Sequence, residues 1–219
     1  MEQDLKELKA FLDEKVAQYN NPKFIELDPI QIPHSYTVKE DIEISGFLAA
    51  TIAWGNRTSI VKNAKRMLAP MGESPYDFIC NHREHHLKRF DGFVHRTFNS
   101  LDLLTFIEGL KHLYKDKNGL EGIFVKYQTH DSLQPAIHEL KKEFFNIPHP
   151  ERTRKHLSDP MTGSAAKRIN MFLRIIKVAV NQSKLVHLDS TRLLNPLFHP
   201  HKPQNPQNPS ALQSSCHSL

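Results

Sequence analysis

The sequence predicts an all-α fold, and three observations carry that expectation. Apolar residues recur at three- and four-residue spacing in segment after segment, as one buried helix face requires. Helix start and stop signals bracket those segments, among them Thr37-x-x-Glu40, Ser74-Pro75, Gly55-Asn56 and Asn118-Gly119. No run of period-two alternation bounded by hairpin turns competes with them.

Leu5, Leu8, Leu12, Val16 and Tyr19 share one face of a first helix, which Asn20-Asn21-Pro22 ends. Pro22, Pro29 and Pro33 then make residues 22–36 an extended, ordered loop. Thr37 and Glu40 form a capping-box signal, each able to satisfy a free N–H. Ile42, Ile44, Phe47, Leu48, Ile52 and Trp54 follow on a helix apolar nearly all round, expected at the centre of the core. A further helix from Thr58 turns Ile60, Val61, Ala64, Met67 and Leu68 inward and ends at Pro70 to Gly72. Ser74-Pro75 starts a shorter one, with proline where its missing N–H costs nothing. Ser100 is placed as the cap of a helix carrying Leu101, Leu104, Ile107, Leu110 and Leu113. Short helices follow at Leu120 to Tyr127 and from Ser132 to Phe144. After a connection rich in Pro, His and Arg, Gly163-Ser164 opens a last helix with Ala165, Ala166, Ile169, Phe172 and Leu173.

The chain divides by composition at residue 174. Residues 1–174 hold 25 Lys and Arg against 23 Asp and Glu, so they are nearly neutral. Residues 175–219 have no Gly, Glu, Tyr or Trp, and 196–219 contain five Pro. Such a composition buries too little apolar surface to offset ordering entropy, so a disordered tail is expected. The formal charge of +5 over 219 residues therefore comes largely from the tail and is no argument for nucleic acid. The 8 Gly form no G-x-G-x-x-G and no G-x-x-x-x-G-K-[ST], which removes sequence support for the common dinucleotide and P-loop classes. Two cysteines, Cys80 and Cys216, make neither a disulfide framework nor a zinc ribbon. No apolar stretch approaches the length of a membrane span, and no secretory signal opens the chain; a cytoplasmic protein is expected.

Few constellations suggest chemistry. In His82-Arg83-Glu84-His85-His86, His82 and His86 would share a helix face, but the order is not H-E-x-x-H; a solvated charged face is the reading, with no metal site. Cys80 has no base tied to it and reads as partly buried. Asp41 and Glu43 read as first-turn acids favoured by the helix dipole. The most informative stretch is Asp159-Pro-Met-Thr-Gly163-Ser164-Ala165-Ala166-Lys167-Arg168. A tight turn of small residues feeding a helix lets a phosphate approach the free N–H groups at that helix start. Lys167 sits beside that space, where a lysine near apolar walls and a second cation becomes an amine nucleophile; a plain surface lysine is the other reading. Arg152, Arg154, Lys155, His156, Arg168 and Arg174 gather nearby in sequence and, with Arg57, Lys62, Lys65 and Arg66, could track a phosphate backbone.

Asp28-Pro-Ile-Gln-Ile-Pro-His34, Asp41-Ile-Glu43, Phe47-Leu-Ala-Ala-Thr-Ile-Ala-Trp-Gly-Asn56-Arg57, Arg152-Thr-Arg-Lys-His156 and Gly163-Ser-Ala-Ala-Lys-Arg-Ile-Asn-Met-Phe-Leu-Arg174 together resemble a bacterial family of uncharacterised proteins, domain of unknown function 2400. That family in turn resembles, more distantly, helix-hairpin-helix DNA glycosylases. The resemblance implies a helical glycosylase-like domain over residues 1–174. It sets Gly163 to Asn170 on the hairpin's Gly-x-Gly-x-Lys-x-x-Asn pattern, with Ala165 in place of the second glycine. Lys167 then takes the nucleophile position, attacking a sugar C1′ once a base is extruded. Gly163, Ser164, Ala165, Arg168, Arg154, Lys155, Asn56 and Arg57 become the nucleic-acid contacts. The family's assisting carboxylate, in a Pro-Leu-Asp-x-His-x-Gly segment, has no counterpart where counting from Lys167 places it, and Asp189 is a poor echo. The expectation is a domain incomplete at its C-terminus, its tail shifted out of frame near codon 175, poorly stable and aggregation-prone.

The sequence thus points to a DNA-binding protein of base-excision type, truncated and inactive in this form. Its partner would be DNA, through the phosphate backbone and an extruded base, with no cofactor and no membrane; no oligomeric state is set. The alternatives are a helical nucleic-acid-binding module without chemistry and a helical protein-interaction domain.

Overall fold

The computed structural model describes residues 2–19, 25–26 and 28–183, with side chains as far as 176. The predicted disordered tail lies outside the described residues from 184 onward. The all-α expectation holds. Nine α-helices follow in order: α1 (Glu2–Tyr19), α2 (Lys39–Thr51), α3 (Arg57–Leu68), α4 (Pro75–Asn81), α5 (Glu84–Leu87), α6 (Ser100–Asp116), α7 (Gly119–Tyr127), α8 (Gln134–Phe144) and α9 (Lys167–Ser183), counted among the described residues.

α2 is the central helix because its sequence leaves it no polar face. Every residue from Asp41 to Thr51 is buried. It packs most extensively on α9, and α3 and α4 flank it. Phe47 is the meeting point of four helices: its ring lies 6.0 Å from Phe106 on α6, 5.7 Å from Phe144 on α8 and 5.5 Å from Phe172 on α9. All four rings are fully buried, and burying each stabilises the fold by about 1.5–3 kcal/mol. Gly109 lets α6 and α8 close to this distance, since a Cβ there would stand 2.8 Å from the Phe144 ring. α9 continues past the composition change at 175, and Ile175 is buried with its side chain against Gly46 of α2.

Several local readings are corrected. Thr37 caps nothing: α2 starts at Lys39 behind Val38, which makes no side-chain cap bond. Asp41 lies in the first turn as expected and Glu43 beyond it, and both are buried. The Asp41 carboxylate instead accepts the Ser74 hydroxyl (3.0 Å) and the Tyr76 N–H (2.7 Å), fixing the start of α4. Asn99, not Ser100, caps α6, in a reciprocal box with Asp102. Residues 29–31 and 33–35 form 3-10 turns where an extended loop was expected. A two-residue hairpin, β1 (Val94–His95) with β2 (Phe98–Asn99), turns at Arg96-Thr97 with Arg96 at φ 56°. Strands this short show no alternation, so periodicity could not reveal them.

His82 and His86 are not on one helix face. His82 ends α4, is buried against Phe78, and bonds Glu108 at 2.8 Å; His86 belongs to α5, where its ring accepts the Arg83 N–H. Among the described residues no three His, Cys, Asp or Glu side chains gather to hold a metal ion. None of the helices described there is long and apolar enough to cross a membrane.

Candidate nucleic-acid interface

The residues around Arg168 come from three distant stretches of sequence. α9 starts at Lys167, so Arg168 lies in its first turn and its side chain runs back over the end of α2. Its guanidinium donates to the Thr51 carbonyl (2.9 Å) and the Lys155 carbonyl (3.4 Å), and lies 5.0 Å over the Trp54 ring. One side chain therefore draws together Thr51–Arg57, Arg152–His156 and Gly163–Arg168. Burial pulls the Arg168 pKa down from its usual value.

Trp54 is the aromatic floor of this region. His156 stacks on it at 6.1 Å, and His95 meets it edge-on at 5.3 Å. The His156 ring is wedged against Phe98 at 5.0 Å, and its Nε2 lies 3.4 Å from the Asp102 carboxylate without a hydrogen-bonding geometry. Burial lowers the His156 pKa, and the Asp102 charge opposes that shift only in part. Asp102 is wholly buried and satisfied by other groups: the Thr153 hydroxyl at 2.8 Å, the Asn99 N–H at 3.1 Å and the Arg152 guanidinium at 3.3 Å. This network locks the 3-10 turn at Glu151–His156 onto the start of α6.

The turn before α9 carries the backbone features a close ligand needs. Gly163 is left-handed at φ 84°. The second left-handed residue is Ala166 at φ 44°, not Ala165, and a non-glycine residue there holds strain of about 1–2 kcal/mol. Ser164 accepts the Ala166 N–H at 3.2 Å, and the first intrahelical bond of α9 is from the Asn170 N–H to the Ala166 carbonyl, so the N–H groups of Lys167, Arg168 and Ile169 have no partner within the helix. The element before the turn is a pair of 3-10 turns, Glu151–His156 and Pro160–Thr162, where a helix-hairpin-helix would have an α-helix. The predicted helix opening at Gly163-Ser164 is likewise shifted, to Lys167.

Of the sequence-predicted residues, Gly163, Ser164, Ala165, Lys167, Arg168 and Lys155 are brought together here. Lys167 and Lys155 are exposed, so no apolar wall encloses the Lys167 amine. Asn56 works as the N-cap of α3, accepting the Ser59 N–H at 3.2 Å, and Arg57 turns toward Asp28 at 3.8 Å. Arg154 is drawn aside, over the Phe145 ring at 5.2 Å and against His149. Sequence reasoning missed Arg96. Its side chain lies over Gly55, where a Cβ would stand 2.6 Å from its Nη1, so this glycine admits a cation beside Trp54. The only signal for it was Asp91-Gly92, a turn signal just ahead of the hairpin.

A family model described as Protein of unknown function (DUF2400) matches residues 28–178. No curated protein and no solved structure matches the chain. The chain belongs to the DUF2400 family.

Proposed function

We propose that this DUF2400 chain binds DNA across the Gly163–Arg168 turn and the adjoining Trp54–Arg96 surface, as a protein of base-excision type whose chemistry is impaired in this form. The observation that carries the reading is Arg168, which gathers three stretches of sequence around one aromatic ring and leaves Lys155 and Lys167 exposed beside it. N–H groups without a partner inside the helix at the start of α9 suit a phosphate, and exposed lysines beside them suit its neighbours. Arg96 adds a cation over Gly55, the residue after Trp54.

In the reaction that a base-excision type implies, the Lys167 amine attacks C1′ of an extruded nucleotide. The N–C1′ bond forms as the glycosidic bond breaks, and the base leaves with the bonding pair and takes up a proton. That step needs a carboxylate near the amine, and among the described residues none pairs with Lys167. The same absence favours a second reading, in which the face binds DNA and does no chemistry.

Borohydride trapping on lesion-containing duplexes, paired with binding titrations at several salt concentrations, tests both. Salt-sensitive binding without a trapped adduct is expected for this chain. An adduct that disappears in Lys167→Ala would show the chemistry intact. No binding even at low salt overturns the proposal.

A further inference from the structure

We propose that His156 is a proton switch for the surface around Arg168: its protonated ring takes the Asp102 carboxylate from Arg152 and frees that guanidinium for a phosphate. The last step rests on the DNA reading above; the contest at Asp102 does not. Asp102 is wholly buried, and two cationic groups reach its Oδ2. Arg152 Nη2 lies 3.3 Å away and also donates to the Thr97 carbonyl at 3.1 Å. His156 Nε2 lies 3.4 Å away, on a residue 4% exposed, and is a buried nitrogen without a hydrogen-bond partner. The neutral ring leaves Oδ2 to Arg152. A protonated ring carries N–H on both nitrogens, so Nε2 becomes a charged donor beside that oxygen. The Arg152 side chain is 40% exposed, so it turns outward without leaving a buried cation behind.

The surrounding charges set the sense of the switch. Asp102, at the start of α6, favours the proton. Burial opposes it most strongly and lowers the His156 pKa, with Lys155 and Arg152 of the same turn and Arg168 of α9 adding to the opposition. Phe98 and Trp54 wall the ring and carry no charge. His95, across Trp54, does not compete for the proton. Its Nδ1 faces the Asn63 amide nitrogen at 3.1 Å, a group that only donates and also reaches the Ser59 carbonyl at 2.9 Å. Its Nε2 faces the Trp54 carbonyl at 3.3 Å, so a neutral ring protonated on Nε2 satisfies both contacts. A phosphate held at Lys155 and Lys167 offsets part of the positive charge facing His156. DNA binding and proton uptake therefore favour each other.

Trp54 is the one tryptophan of the chain and His156 stacks on it at 6.1 Å, so its fluorescence reports the proton through quenching by the imidazolium. Without DNA, the full chain should show one step below the ordinary histidine value of about 6.5. The step should vanish in His156→Gln. In Arg152→Ala, where the rival cation is gone, it should move up by roughly one pH unit. With a labelled duplex, affinity should rise by up to about tenfold as pH falls from about 7.5 to about 5.5. The slope of log affinity against log salt should steepen by about 1 over the same interval, as one more phosphate contact requires. Both variants should lose that steepening, and their circular dichroism at neutral pH should match the wild type, which excludes unfolding as the cause. No fluorescence step, or a step that survives in His156→Gln, overturns the switch with or without DNA. A step that Arg152→Ala leaves in place overturns the contest at Asp102. Equal salt slopes at both pH values, or a steepening that persists in Arg152→Ala, overturn the release of Arg152. A duplex that binds at neither pH contradicts the DNA reading and with it the phosphate step, while the two fluorescence shifts still decide the contest at Asp102.

Discussion

Two buried carboxylates, Glu43 and Asp102, sit on different sides of the same core and are used differently. Glu43 receives the Tyr114 hydroxyl at 2.7 Å and the Lys39 ammonium at 2.9 Å, and Lys39 goes on to Glu121 at 2.7 Å. One ammonium there bridges two carboxylates, and the cluster ties α2 to α6 and α7. Asp102 also pins elements together, through Thr153, Asn99 and Arg152, but its surroundings do not close. His156 beside it keeps a buried Nε2 without a hydrogen-bond partner, and Asn170 near the turn keeps a buried Oδ1 in the same condition. Exposed Lys155 and Lys167 stand on this side. Unmet polar atoms are costly, and two of the four among the described residues lie on this side, with His34 Nε2 and His112 Nε2 elsewhere.

The comparison breaks most visibly at Asp102. Asp102→Ala should cost about 3–5 kcal/mol in denaturant unfolding, because it strands a hydroxyl, a backbone N–H and a guanidinium at once. Glu43→Gln should cost about 1 kcal/mol, since the amide still accepts from Tyr114 and Lys39 keeps Glu121. The reverse order would mean that the Glu43 cluster, not the Asp102 network, holds the fold.

Acid and base sharpen the contrast further. Burial lowers the His156 pKa, so the folded chain takes up that proton less readily than the unfolded one. Its contribution is intact above the ordinary value of about 6.5 and is lost as pH falls below it. Burial of His34 acts in the same sense. Burial raises the Glu43 pKa, against the pull of Lys39 and Tyr114, so its contribution is present at low pH and lost as pH rises through the folded value. Lys39, pushed up to about 12 as its two glutamates outweigh burial, loses its own contribution only as pH rises through that value. Thermal midpoints measured against pH should therefore flatten on the acid side in His156→Gln, and at the carboxylate end in Glu43→Gln. Identical profiles for both variants would remove the distinction.

Much of this was legible in the sequence. The period of α2, α6 and α8 is written in Phe47, Ile107, Leu110 and Leu140, and the structure buries each. Local signals failed where a distant partner won. Asp41, read as a first-turn acid held by the helix dipole, is claimed by Ser74 and Tyr76, more than thirty residues away. Asn99 displaced Ser100 because Asp102, three residues on, answers it, whereas Ser100 has Leu103 at that spacing. The turn before α9 stood out by its small residues. Its neighbours did not: Arg96 reaches Gly55 only through a hairpin too short to have a period, and Arg168 finds Trp54 across more than a hundred residues.

The central claim is that DNA lies against the Arg168 side of the molecule and not the Glu43 side. Titrating a fluorescent duplex with the wild-type chain and with Lys155→Ala and Lys167→Ala, across a salt series, tests it most directly. Each variant should bind more weakly at low salt and lower the slope of log affinity against log salt by about 1, while Glu43→Gln leaves the slope unchanged. Binding that neither lysine substitution alters, or no binding at low salt, would contradict it.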